Sequence, residues 1–286
     1  MKAAALAVLF LFLTGQRGFA EEASWKVSLS SREVFQGDVI EIRMLAPGLS
    51  EAKGFFRHHE IPFFPGRDGF FIGLVGLDLE EKPGLEEVKV VGWEKSREAG
   101  ERVIKFEVLN KRFPEESISV PSAFDQIDDA TWKRIQKEQK QMADIWTIRT
   151  PGPLWEGRFL APVSGAVTSA FGLRRIVNGS PRSPHGGVDL KAPLGTEIVA
   201  ANRGRVVLRE EFFFTGKTVV IDHGGGLYTM YFHLADFHVE KGSEVGKGEL
   251  IGWAGMTGRA TGPHLHWGAR LNGARIDPFQ LVRPLG

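Results

Sequence analysis

The chain has 286 residues, 42% of them hydrophobic and 25% charged, which is enough for ordinary globular cores in two domains and excludes a disordered or fibrous protein. Cysteine is absent, so disulfides, thiol catalysis and thiolate metal sites are excluded. The formal charge is +1, falling to −1 if a leader containing Lys2 and Arg17 is removed, and a near-neutral chain has no electrostatic case for binding nucleic acid.

Residues 1–20 read as a signal peptide. Lys2 supplies a short positive start, Ala3 to Leu13 an apolar run, and Gly18 and Ala20 the small residues that a signal peptidase inspects. The apolar run is too short to span a bilayer, which takes about 20 residues. The expectation is an exported protein with no stable membrane span after cleavage, in the periplasm in preference to the extracellular space.

Residues 21–120 read as a small β-sandwich of immunoglobulin-like type. Ile40, Ile42 and Met44 alternate with Glu41 and Arg43, and Ile104, Phe106 and Val108 with Lys105 and Glu107, the period-two pattern of half-buried strands. Residues 121–153 read as a linker with one helix. Between Asp128 and Trp146, the residues Trp132, Ile135, Met142, Ile145 and Trp146 fall on one helical face, and "TPGP" at 150–153 stops the pattern. Residues 154–286 form the last unit. Its segments alternate β-branched and aromatic residues with glycine turns, so the expectation is an antiparallel β groove or partial barrel, and a mainly β protein as a whole.

Four of the eight histidines fall in three motifs of this last unit: "HGGVD" (His185, Asp189), "YFHL" (His233) and "HLHW" (His264, His266). Residues two apart on a strand share a face, so His264 and His266 look the same way and Leu265 packs behind them. The same parity places Thr229, Tyr231 and His233 on one face, read as a polar groove, and Tyr228, Met230 and Phe232 on the other, read as core. His185 and Asp189 are four apart, about 13 Å on a straight strand, and too far to grip one ion. Gly186 and Gly187 allow a sharp bend that folds the aspartate back beside the histidine. Two imidazoles and a carboxylate suit zinc, which takes three protein ligands at a catalytic site and leaves the fourth position to water. In the H-x-H pair one histidine then holds the ion and the other faces the substrate, and spacing leaves open which is which. Any one buried histidine is by default a hydrogen-bonded core residue. Asp222 and His223 read as turn stabilisers, and His58, His59 and His238 as ordinary packing or surface residues.

"HGGVDL", "MYFHL" and "GRATGPHLHWGAR", in that order and preceded by "SAFGLRR", resemble the lysostaphin-type (LytM-type) zinc endopeptidases, a family of peptidoglycan hydrolases. The resemblance covers roughly Phe159 to Phe279. It implies one Zn2+ held by His185, Asp189 and His266, with His233 and His264 as the catalytic histidines and Thr261 and Arg174 near a substrate groove. Trp267 stands where phenylalanine is more usual, and Gly268 and Ala269 where a glutamate is often found. The implied activity is hydrolysis of peptidoglycan stem peptides or cross-bridges. Two other readings are a wall-binding or hydrolase-activating protein that keeps the fold without catalysis, and a zinc peptidase for secreted proteins. The sandwich domain is read as a targeting unit, a cover for the groove, or the docking site of a regulatory protein.

Overall fold

The computed structural model describes residues 25–66, 69–118 and 127–283. The signal peptide expected at 1–20 and part of the linker lie outside these residues.

The N-terminal strands are β1 (Lys26–Leu29), β2 (Glu33–Phe35), β3 (Val39–Leu45), β4 (Glu51–Phe56), β5 (His59–Pro65), β6 (Phe70–Gly76), β7 (Gly84–Glu94) and β8 (Arg97–Leu109). They form one path, β1-β3-β6-β5-β4-β7-β8-β2, that closes around a core of Ile40, Ile42, Met44, Val75, Val88, Ile104 and Phe106. The alternation read from the sequence is the alternation into this core. Glu41, on the face expected to meet solvent, is only 7% exposed. The reason is docking: neighbouring Val39 and Leu74 of that face belong to the core of the C-terminal unit.

After β9 (Glu115–Ile118) comes α1 (Asp129–Ile145). Asp128 caps the helix by accepting from the N–H of Thr131 at 2.7 Å, satisfying one of the orphan donors of the first turn. The helix lays Ile145, Met142 and Trp146 against Leu208, Phe212, Val220, Tyr228 and Met230. Trp132 does not share this face and stays 48% exposed. At 100° per residue it lies about 80° from the centre of the stripe, at its edge.

The C-terminal strands are β10 (Val167–Ser169), β11 (Arg174–Val177), β12 (Ser180–Pro181), β13 (Gly187–Lys191), β14 (Glu197–Val199), β15 (Gly204–Phe212), β16 (Gly216–Asp222), β17 (Leu227–Phe237), β18 (Glu244–Val245), β19 (Leu250–Ala254), β20 (His264–Leu271) and β21 (Ala274–Ile276), followed by the single turn α2 (Phe279–Val282). The main sheet runs β10-β13-β20-β17-β16-β15-β18 and forks at β17. The first half of β17 pairs with β20 as far as Phe232↔His266, and the second half pairs with β19 from Leu234↔Ala254 onward. His233, between the two halves, has φ 63°. A left-handed residue inside a strand breaks the alternation and turns the chain, and here it curls the sheet into a groove.

The two units are joined by more than the linker. Arg275 clasps Asp78 through Nη2–Oδ1 (2.6 Å) and Nε–Oδ2 (3.1 Å), Nη2 also reaches Glu80 (2.7 Å), and the Asp277 N–H donates to the Gly37 carbonyl at 2.9 Å. A cavity of about 430 Å³ lined by Phe64, Ile72, Trp155, Phe159 and Leu281 lies along this seam, and none of the clustered histidines lines it.

Candidate metal centre and active site

Strands β13 and β20 are antiparallel neighbours, with Asp189 directly opposite His266 and Lys191 opposite His264. Direct partners share a face, so the carboxylate, His264 and His266 project together, while Leu265 and Trp267 enter the core with no exposure. His185 reaches the same point from the loop before β13. Its N–H donates to the Leu173 carbonyl (3.0 Å) and its own carbonyl accepts from the N–H of Gly172 (2.8 Å).

The expected fold-back of the H-x-x-x-D pair is present, since His185 Nε2 lies 3.0 Å from Asp189 Oδ1. The glycines act differently from the expectation. Neither Gly186 nor Gly187 has a positive φ. Gly187 is needed for space: a Cβ there would lie 2.5 Å from the Trp267 carbonyl oxygen and 2.7 Å from His266 Nε2.

His185 Nε2, Asp189 Oδ1 and His266 Nδ1 form a nearly equilateral triangle with sides of 2.9, 3.0 and 3.0 Å. A point about 2.0–2.1 Å from all three, the distance zinc keeps from imidazole nitrogen and carboxylate oxygen, exists just off its plane. The protonation pattern fits a cation as well. The Nδ1–H of His185 donates to the Ala170 carbonyl at 2.9 Å, which leaves Nε2 as a bare lone pair pointing into the triangle. Among the described residues this trio is the group of His, Asp and Glu side chains able to hold a metal ion. Each side chain is 11–13% exposed, shielded yet open on one side.

Burial raises the Asp189 carboxyl, but the adjoining His185 and His266 imidazoles outweigh it and hold the group well below the usual carboxylate range, in the ionised form a cation requires. Burial lowers the His266 imidazole, against the pull of Asp189. Its ring stacks on Phe232 at 4.9 Å with planes 3° apart, which fixes its orientation.

His264 and His233 stand on the open side, with ring centroids 4.8 Å apart. The Nδ1–H of His264 donates to the Gly262 carbonyl (2.8 Å) and that of His233 to the Thr257 carbonyl (2.9 Å), so both rings keep a free Nε2. His264 Nε2 is 3.8 Å from Asp189 Oδ1. Burial lowers the His233 pKa to about 4.

His233 reaches the groove by a route that strand parity did not foresee. Thr229 and Tyr231 have no exposure and belong to closed core, whereas Phe232, on the other face, meets His266. Strict alternation would send His233 inward with Tyr231. The left-handed backbone at His233 reverses its side chain to the groove, and its N–H is taken by the Thr215 carbonyl at 2.9 Å.

The five residues His185, Asp189, His233, His264 and His266 are thus gathered. Thr261 is exposed in the bend before β20, and Arg174 is exposed at the start of β11. What sequence reasoning missed are backbone groups: the carbonyls of Ala170, Thr257 and Gly262 each fix one imidazole, and no side-chain pattern announces a carbonyl. His223 is fully buried, with Nδ1–H donating to the Arg203 carbonyl (2.8 Å) and Nε2 accepting from Thr229 Oγ1 (2.7 Å). Asp222 does serve its turn, accepting from the N–H of Gly224 at 2.8 Å. His58, His59 and His238 are exposed.

A curled sheet that presents two imidazoles and a carboxylate around one point, with two further histidines beside it, is the framework of a metal-dependent hydrolase. Residues 183–278 match the profile of peptidase family M23. A solved Pseudomonas aeruginosa protein described as a peptidase M23 is 30% identical and superimposes with a TM-score of 0.69 over 87% of this chain and 94% of its own. The chain belongs to peptidase family M23. Curated relatives include the peptidoglycan DD-endopeptidase ShyA of Vibrio cholerae, 37% identical over 120 residues, and the DD-carboxypeptidase/endopeptidase Mpg of Neisseria meningitidis, 38% identical over 118 residues. These alignments take in 42% and 41% of this chain but only 28% and 27% of the two relatives, so the chain spans less than a third of their length. Among the described residues no helix is long and apolar enough to cross a membrane.

Proposed function

We propose that this chain is an exported zinc metalloendopeptidase that hydrolyses peptide cross-links of bacterial peptidoglycan. The observation that carries the reading is the triangle of His185 Nε2, Asp189 Oδ1 and His266 Nδ1, with the free Nε2 atoms of His264 and His233 facing the same groove. Two neutral imidazoles and one carboxylate would hold Zn2+ with a net charge of +1. When bound there the ion supplies Lewis acidity, lowering the pKa of a water and polarising a carbonyl.

The protein's own groups do the rest. The Gly262 and Thr257 carbonyls hold His264 and His233 in one tautomer, so each presents a lone pair to the groove and can accept a proton from the attacking water or, once protonated, return it to the leaving amine. Burial keeps His233 neutral at pH 7, the form able to act as a base. Thr261 and Arg174 are assigned to the substrate side of the site on the strength of the family resemblance. The DD-endopeptidase and DD-carboxypeptidase/endopeptidase names of the two curated relatives favour a D,D-peptide bond, and a peptidoglycan substrate supports action outside the cytoplasm, for which our reading is the periplasm.

The test is digestion of purified sacculi by zinc-loaded protein, with released fragments identified by mass spectrometry and casein run alongside. Loss of D,D-cross-linked fragments is the expected result. Zinc-replete protein that releases nothing would instead mark a wall-binding or hydrolase-activating protein, and cleavage of casein alone a peptidase for secreted proteins. His264→Ala should keep zinc and lose about 10²- to 10⁴-fold in turnover. Asp189→Ala should lose zinc first, and equal zinc loss in both variants would refute this division of labour.

A further inference from the structure

The loop that carries His185 is held in place by residues from outside the C-terminal sheet. Strands β11 and β12 share only two residue pairs, Ile176↔Pro181 and Val177↔Ser180, and a hairpin this short is marginal by itself. Strand β9, at the C-terminal end of the N-terminal half, adds four parallel pairs from Arg174↔Glu115 to Val177↔Ile118, and the Arg174 N–H donates to the Pro114 carbonyl at 2.9 Å.

Just upstream, the Phe113 ring packs against Gly172, where a Cβ would sit 2.0 Å from Phe113 Cδ1. The ring also meets Phe171 edge-on at 6.2 Å. Phe171 is 5% exposed and fills the space beside Gly37 of the sandwich, where a Cβ would lie 2.3 Å from its Cε1. Lys111 covers both rings, 5.5 and 6.0 Å from their centroids.

These contacts fix Phe171 to Arg174, the segment whose backbone fixes His185. The Gly172 N–H donates to the His185 carbonyl, the His185 N–H to the Leu173 carbonyl, and the neighbouring Ala170 carbonyl takes the His185 Nδ1–H. A side-chain relay runs in parallel. Arg175 joins Glu116 of β9 (Nε–Oε2 3.3 Å) to Ser169 Oγ (3.2 Å), which lies 3.3 Å from His185 Nδ1.

We propose that Phe113 and strand β9 are positioning elements of the metal centre: they hold the 171–185 loop so that His185 meets Asp189 and His266, and the N-terminal half is part of the metal site and not a detachable cover. This rests on the metal reading given above. The loop is tied to the sheet at one end by β10 and at the other by β13, and the segment between must close about 15 residues, a cost that the contacts of Phe113 and β9 offset.

The test uses the full chain. Zinc dissociation constants are measured by competition with a chromophoric chelator, well below each melting temperature, for the unsubstituted protein, Phe113→Ala, Phe113→Leu and Glu116→Pro. Substitution of groups that orient a ligand typically weakens metal binding about 10- to 100-fold, and that loss is expected for Phe113→Ala and Glu116→Pro, with most of the affinity restored by Phe113→Leu. Hydrogen exchange at the Gly172 and His185 amides should quicken in the same two variants. A purely structural role would lower the melting temperature and leave the dissociation constant in place, and that result overturns the proposal. Glu116→Pro, on an exposed edge strand, decides the matter if Phe113→Ala does not fold. Failure of the unsubstituted protein to bind zinc would refute the metal reading itself, a distinguishable outcome.

Discussion

His223 makes acid sensitivity a quantitative property of this fold. Burial lowers its pKa from 6.5 to about 4, against a smaller raising effect of its bond to the Arg203 carbonyl. The hydrogen bonds specify the neutral ring, since Nδ1–H is committed to a carbonyl and Nε2 to the Thr229 hydroxyl. The unfolded chain binds this proton from pH 6.5 downward and the folded chain only near pH 4. The residue therefore has no effect on stability above about pH 7.5, destabilises the fold progressively as pH falls through 6.5, and reaches its full effect below 4. A difference of about 2.5 pKa units corresponds to about 3 kcal/mol at the limit, and to about 2 kcal/mol at pH 5. The assay is urea unfolding of metal-free protein between pH 7.5 and 4.5, compared with His223→Gln. The variant starts less stable because its polar network is broken, but the gap should narrow by about 2 kcal/mol between pH 7.5 and 5. Parallel stability curves would refute the reasoning, because every other titrating group is common to both proteins.

Three further outcomes can be measured. Gly187→Ala should lower zinc affinity about tenfold or more, since its Cβ would meet the Trp267 carbonyl and His266 Nε2, whereas a Cβ at Gly186 has only Arg275 Cδ at 3.8 Å and should be nearly silent; equal zinc content in both after dialysis would contradict the packing argument. His233→Asn should keep fold and zinc, because asparagine tolerates the φ of 63°, yet lose about 10²- to 10⁴-fold in turnover on sacculi; retained turnover would remove His233 from the mechanism. Arg275→Ala should cost about 2 kcal/mol in urea unfolding by releasing Asp78 and Glu80 at the seam between the two units, and an unchanged midpoint would show that the seam does not contribute.

Much of the candidate site is legible in the sequence. H-x-H on a strand has one outcome, two imidazoles on one face, and Asp189 opposite His266 needs that β13 and β20 be neighbours in this register. Strand alternation failed at His233 because one left-handed residue inverts the face of its side chain, and no residue type obliges histidine to adopt that conformation. The glycines of H-G-G-V-D were legible as a requirement but not as its cause, since a need for space at Gly187 and a need for positive φ give the same letter.

The amino-acid sequence by itself determined the mainly β character, the candidate site residues and the family, because periodicity and short motifs are local properties of the chain. Tertiary structure alone decided that Glu41 on the polar face of β3 is buried, that three backbone carbonyls select the imidazole tautomers, and that strand β9 completes the loop bearing His185. Those features depend on which distant segments come to lie side by side. A carbonyl or an edge strand looks the same in sequence whether or not a partner meets it.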